Sequence, residues 1–216
     1  MTHIIPNLSS ESGDLSSLQM EDFWDRHGKT VVIAGIIVIL AALIAVGVGI
    51  YKHNQELAAA AIFAEAKDEA QLQAVITQYP NSASAVNASL LLAGLQRKAG
   101  KYDEATATLE ALLKRSPDSP FAGLASLGIA VNHAAAGQRS KYVEGLQQTA
   151  TRFNSSFVAP YALLGEAEYF MAQAKNGEAA GVLRNLTTQY PESISGRFAG
   201  SLLERLETIA DTETKN

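Results

Sequence analysis

The segments QYPNS (78–82), RSPDS (115–119), RFNSS (152–156) and QYPES (189–193) recur at a constant spacing of 37 residues. A fixed period of this size is the mark of stacked supersecondary units. Other columns keep the same register. Leu72, Leu109, Leu146 and Leu183 form one, and Ala88, Ala125, Ala162 and Ala199 a second. Ala93, Ala130 and Ala167 form a third, and Gly100 and Gly137 align with Ala174.

Each unit reads as two helices. In the first full copy, Ala83 to Lys98 forms helix A, Ala99–Gly100 a turn, and Tyr102 to Lys114 helix B. Glycine suits the end of helix A, and Pro117 prevents helix B from continuing. Asp118 or Ser119 is placed to cap the next helix. The small columns let helices approach closely, and the leucine column fills the space between units. The second copy covers Pro120–Ser156 and the third Phe157–Ser193. A half-copy precedes them, with Asp68–Tyr79 as its B helix. Ile194–Thr208 is predicted to close the stack, its apolar residues Phe198, Leu202, Leu203, Leu206 and Ile209 covering the end.

This unit resembles a tetratricopeptide repeat lengthened by three residues. The family's small sites match Ala93 and Ala105, its large sites Leu92, Tyr102, Leu109 and Leu112, and its terminal proline Pro117. The third copy supplies Ala167, Ala179, Leu183, Leu186 and Pro191. The second departs, with Tyr142 at a small site and Asn154 at the proline. The family's early aromatic in helix A is missing, since Ser89, Ser126 and Leu163 stand there. The fold class expected is all-α: a tetratricopeptide-like array over 68–208, preceded by one transmembrane helix.

That helix is VVIAGIIVILAALIAVGVGI, Val31 to Ile50, which has no charged, amide or hydroxyl side chain. At 1.5 Å per residue it covers about 30 Å, the thickness of a bilayer's hydrocarbon core. It is longer than a signal-peptide core and lies behind a mostly polar stretch, so an uncleaved anchor is expected. Trp24 and Tyr51 suit the interfacial belt, and Arg26 and Lys29 before the span against Lys52 after it favour a cytoplasmic N-terminus. The remaining divisions expected are a disordered tail over 1–20, a short juxtamembrane helix over 21–30 ending near Gly28, a transmembrane helix over 31–51, a helical stalk over 52–67 and a disordered tail over 209–216.

Composition narrows the function. The chain carries a net charge of -5 and no cysteine, which excludes disulfides, Cys-ligated zinc and thiol nucleophiles. No basic patch suggests nucleic acid. His3, His27, His53 and His133 are scattered, without metal-ligand spacing. There is no nucleophile elbow, phosphate loop or dinucleotide fingerprint. No catalytic residue, cofactor, metal or small-molecule substrate is expected.

A surface remains. Stacked helix pairs curve into a groove lined by helices A. By repeat phase its lining comprises Asn87, Leu90, Arg97 and Lys98 in the first copy. The second offers Leu124, Leu127, Val131 and Ala134, and the third Tyr161, Leu164, Glu168 and Met171. For Leu90, Leu127 and Leu164 two readings stand, groove or core, because the columns lie only about 100° apart on a helix.

The whole layout is a short acidic tail, an approach through Phe23, Trp24, Gly28 and Lys29, one span, an Ala-rich stalk and the repeats. It resembles the ancillary subunits of the bacterial SecYEG translocon (YfgM type). The resemblance implies a single-pass protein of the bacterial inner membrane with a periplasmic repeat domain. It would be a non-enzymatic adaptor between the channel and periplasmic chaperones or prolyl isomerases. A scaffold or assembly factor of another cell-envelope complex is the alternative, since the fold serves both.

Overall fold

In a computed structural model of the chain, the backbone is described for residues 11–213 and the side chains for residues 24–208. The described residues form helices only: α1 (Glu11–Glu65), α2 (Glu69–Gln78), α3 (Ala83–Lys98), α4 (Tyr102–Arg115), α5 (Ala122–Ala135), α6 (Arg139–Arg152), α7 (Ala159–Ala172), α8 (Asn176–Gln189) and α9 (Ile194–Glu213). The chain divides into two compact units, one up to Asn54 and one from Gln55 onward.

In the first unit the helix is continuous. It begins at Glu11, inside the tail expected to be disordered, and passes through Gly28 without a break. Glycine costs about 1 kcal/mol inside a helix but does not end one unless a C-cap forms. Here the Trp24 ring lies over Gly28, 3.1 Å from where a Cβ would stand. The separate juxtamembrane helix is therefore absent, while residues 1–10 of the expected tail lie outside the described residues. Among the described residues this is the one helix long and apolar enough to cross a bilayer, with a mean hydropathy of 3.2 over its apolar window. That window is not buried in the protein, as a membrane anchor requires.

The second unit corrects the stalk. Ala59 is fully buried, and Ile62, Phe63 and Ala66 pack against Leu72, Val75, Ala88 and Leu92. The end of α1 thus acts as helix A of the half-copy. The Glu56 carboxylate also accepts from the Ala83 N–H, at 3.0 and 3.2 Å, and so neutralises the first turn of α3.

The recurring pentapeptide is a helix-to-helix joint. Tyr79, Ser116, Phe153 and Tyr190 close helix B by donating their N–H to the carbonyls of Val75, Leu112, Thr149 and Leu186. Three residues later, the N–H of Ser82, Ser119, Ser156 and Ser193 returns to those four C-cap carbonyls. Where the motif is QYPxS, the serine hydroxyl does more. Ser82 Oγ donates to the Tyr79 carbonyl and accepts from the Ala85 N–H, and Ser193 Oγ does the same with Tyr190 and Gly196. This is an N-cap, worth about 1 kcal/mol. In the two middle joints the expected cap is not made. Ser119 Oγ accepts from Phe121 N–H, outside the helix, and Ser156 Oγ is buried without a partner.

Between helix A and helix B the chain needs a left-handed residue. Gly100 and Gly137 supply it at φ 76° and 75°, and Ala174 occupies the same place at φ 57°. Alanine is strained there, whereas glycine is not. Ala174→Gly is therefore expected to raise unfolding stability by about 1 kcal/mol, read as a higher urea midpoint at unchanged slope.

The core follows the repeat columns. Leu72, Leu109, Leu146 and Leu183 are buried, as are Ala88, Ala125, Ala162 and Ala199. Tyr142, the large residue at a small site, is accommodated because Gly165 faces it. A Cβ at Gly165 would stand 3.2 Å from the Tyr142 hydroxyl. At the far end, α9 packs on the array through Ala199 and Leu202, with Leu203 and Leu206 partly buried. Ile209 lies outside the residues whose side chains are described. The column of Ala93, Ala130 and Ala167 continues as Glu204, which is exposed. The face of α9 that would receive a further B helix is thus polar, as a capping element requires.

Candidate interaction surface on the A helices

The twelve residues read from the repeat phase separate into two sets. Leu90, Leu127, Leu164 and Met171 pack against the core clusters and hold the units together. The repeated leucines are half-buried, with part of each side chain against the core. Asn87, Lys98, Val131, Ala134, Tyr161 and Glu168 are exposed, and Leu124 and Arg97 are half-buried. Arg97 and Lys98 lie in the last turn of α3, where positive charge opposes the negative helix terminus.

The exposed column does not stop at Tyr161. One period on it reaches Phe198, which was expected to cover the end of the stack and is instead exposed. Four residues before these two stand Phe157 and Ile194, in a second column that the repeat phase also defines. Phe157 is 61% exposed, Tyr161 49%, Ile194 70% and Phe198 48%. In α9 the spacing of four places Ile194 and Phe198 on one helical face, and Phe157 lies in the turn that leads into α7. The result is a quartet of large apolar side chains at the N-terminal ends of α7 and α9. The signal was legible at the 37-residue period, but Ala83 and Pro120 in the earlier copies dilute it.

The quartet has no chemistry beside it. Among the described residues, no group of three or more His, Asp or Glu side chains could hold a metal ion. His133 is a structural residue, its Nδ1 lying 3.0 Å from Gln138 Oε1 across the A–B turn. Burial raises the Tyr142 phenol above its usual range, and the negative charge of Glu168 adds to the effect. The ring of Tyr142 meets that of Tyr169 edge-on, with centroids 6.3 Å apart. Burial lowers the Arg115 guanidinium, whose Nη2 donates to Ser89 Oγ at 3.1 Å. Lys101 is raised by its hydrogen bond and ion pair with Glu69, 3.2 Å away, and by Glu104. Each of these groups belongs to a packing contact or a surface pair.

A family model described as a tetratricopeptide repeat-like domain matches residues 21–182, taking in the apolar segment as well as the repeats. No curated protein matches the chain. Among solved structures, a putative kinesin light chain from Podosopora anserina with nearly identical TPR-like repeats is similar. It is 16% identical at a TM-score of 0.50, with 76% of this chain and 88% of that one covered. A single-substitution variant of that protein is 16% identical at a TM-score of 0.47, with 76% and 96% covered. At this identity the likeness is one of fold. Tetratricopeptide repeat-like domains are typically non-enzymatic interaction scaffolds and generally bind protein partners.

Proposed function

Because the chain belongs to the tetratricopeptide repeat-like domain family, we propose that it is a membrane-tethered, non-enzymatic adaptor. It holds a protein partner on the apolar quartet of α7 and α9. The observation that carries this reading is the exposure of Phe157, Tyr161, Ile194 and Phe198 at the N-terminal ends of α7 and α9. Clusters of large exposed apolar groups mark interaction sites. Tethering by α1 raises the effective concentration of a weak partner at the membrane, so a surface of this size is sufficient.

The layout of acidic tail, span and repeats supports a narrower assignment: an ancillary subunit of a SecYEG-type translocon in the bacterial inner membrane. Its partners would be the channel and a periplasmic chaperone or prolyl isomerase. The bias of Arg26 and Lys29 against Lys52 favours a cytoplasmic N-terminus and a periplasmic array. Gentle detergent extraction of the tagged full-length chain, with mass spectrometry of what co-purifies, tests the assignment. Recovery of channel subunits together with a periplasmic folding factor is expected. Recovery of another envelope complex without the channel would replace it with a scaffold of that complex.

A further inference from the structure

Two core columns of the array pair across every joint between units. One runs along the B helices as Val75, Leu112, Thr149 and Leu186, all buried. The other runs along the A helices as Leu92, Ile129, Glu166 and Leu203. Val75 and Leu92 share one core cluster, Leu112 and Ile129 another, and Leu186 and Leu203 a third. These are the joints α2–α3, α4–α5 and α8–α9. At the joint α6–α7, both members are polar at once.

The two polar groups do not cross the joint to one another. Thr149 Oγ1 donates to the Gly145 carbonyl at 2.7 Å and lies 2.7 Å from Ser126 Oγ, so it is satisfied on the α5–α6 side. Glu166 is 7% exposed and accepts from Gln147 Nε2 at 2.7 Å. The apolar core beside this pair is small, Ala130, Leu146 and Ala162 with Leu127, Tyr142 and Ala150 at its edge, and it is extended by the edge-on contact of Tyr142 with Tyr169 and by Ala150 against the cluster of Leu163 and Ala167. Array stability is a sum of unit terms and nearest-neighbour interface terms, so an array divides where one interface is weak. Thr149 keeps its hydrogen bonds when the joint opens, and the Glu166 carboxylate exchanges its bond from Gln147 on α6 for water, whereas an apolar pair loses its burial.

We propose that the array is a two-block device: α2–α6 with the end of α1 form one block, α7–α9 the other, and the second opens from the first at the α6–α7 joint. The connecting segment is the pivot. Val158 is buried, and with Phe153 it is seated against α5, where Gly123 leaves room. Tyr161, Ile194 and Phe198 lie on the second block and Phe157 at its edge in the pivot, so the block carries most of its docking surface with it. This proposal concerns the array itself and does not depend on the identity of the partner.

Hydrogen–deuterium exchange on the full-length chain in detergent tests it. In the wild type, amides of α7–α9 are expected to exchange through one shared opening, about tenfold or more faster than those of α2–α4. Gln147→Leu with Glu166→Leu removes both polar partners together and leaves neither orphaned, and the two classes are expected to converge. Ser126→Ala with Thr149→Val approaches the joint from its other side and is expected to act the same way. Asn132→Leu is the control. Asn132 is buried on α5 with neither amide atom partnered, and the other members of its column, Leu95, Tyr169 and Leu206, face the preceding B helix. Its replacement is expected to slow exchange in α4–α5 and leave two classes. A single class across α2–α8 in the wild type would overturn the proposal, as would two classes unchanged in both joint variants.

Discussion

Leu183→Ala is expected to lower unfolding stability by about 3–4 kcal/mol, the range for a fully buried leucine whose cavity cannot collapse. Leu183 is fully buried, packed among Leu163, Ala167, Leu186, Ala199 and Leu202. Its neighbours are held by two helices on one side and by α9 on the other, so little can relax into the space. For a chain of this size the loss corresponds to a fall of about 10 °C in Tm. Urea unfolding followed by circular dichroism of the full-length protein in detergent reads it. Asn87→Ala, at an exposed site, is the comparison and is expected to stay within about 0.5 kcal/mol. A change of under about 1 kcal/mol at Leu183 would mean that the leucine column does not bind the units together.

The second large effect is on recognition. Tyr161→Glu with Phe198→Glu is expected to weaken partner binding by about 100-fold or more. Each substitution replaces an exposed apolar anchor by a charge that must be desolvated on docking. Because both side chains are about half exposed in the free protein, stability is expected to change by less than about 1 kcal/mol. The two readouts separate binding from folding. Affinity capture of the partner from solubilised membranes, with a urea melt of the same preparation, provides both. Undiminished capture by the double variant would move the contact off α7 and α9.

The parts of the molecule read differently from sequence for physical reasons. The repeat was plain because the joint needs the same chemistry each time. Tyrosine, serine or phenylalanine ends a helix, proline forbids its continuation in three of the four joints, and serine three residues later turns the chain back. The long apolar helix was plain because one run of apolar side chains is sufficient. Its boundaries were not, because a helix can run through Gly28 and Ala-rich sequence at little cost, and neither residue type marks an end. The residues that the second unit takes from α1 were hidden for a related reason. The A–B turn of this first hairpin falls four residues later than the period places it, α1 ending at Glu65 rather than Ala61, so the period does not align Ala59 and Phe63 with the later copies.

The interaction surface was half legible. Tyr161 stood in a column that could be extended to Phe198. Phe198 instead looked like part of the apolar stripe that anchors α9, since helical spacing alone does not tell a docking residue from a packing one. Leu90, Leu127 and Leu164, left open between groove and core, are half-buried against the core clusters. They are regular because the core repeats, whereas a recognition surface need not. The irregular second copy is explained by compensation at single positions: Gly165 opposite Tyr142, and Gly123 opposite Val158.

The central claim is that the exposed quartet is where this tethered array meets a protein partner at the translocon. The most direct test is a photo-activatable amino acid at Phe198, irradiated in native membranes, with the same group at Glu207 on the polar face of α9 for comparison. The expected result is an adduct with a channel subunit or a periplasmic folding factor from Phe198 and none from Glu207. Adducts from Glu207 alone, or no protein adduct from Phe198, would contradict it.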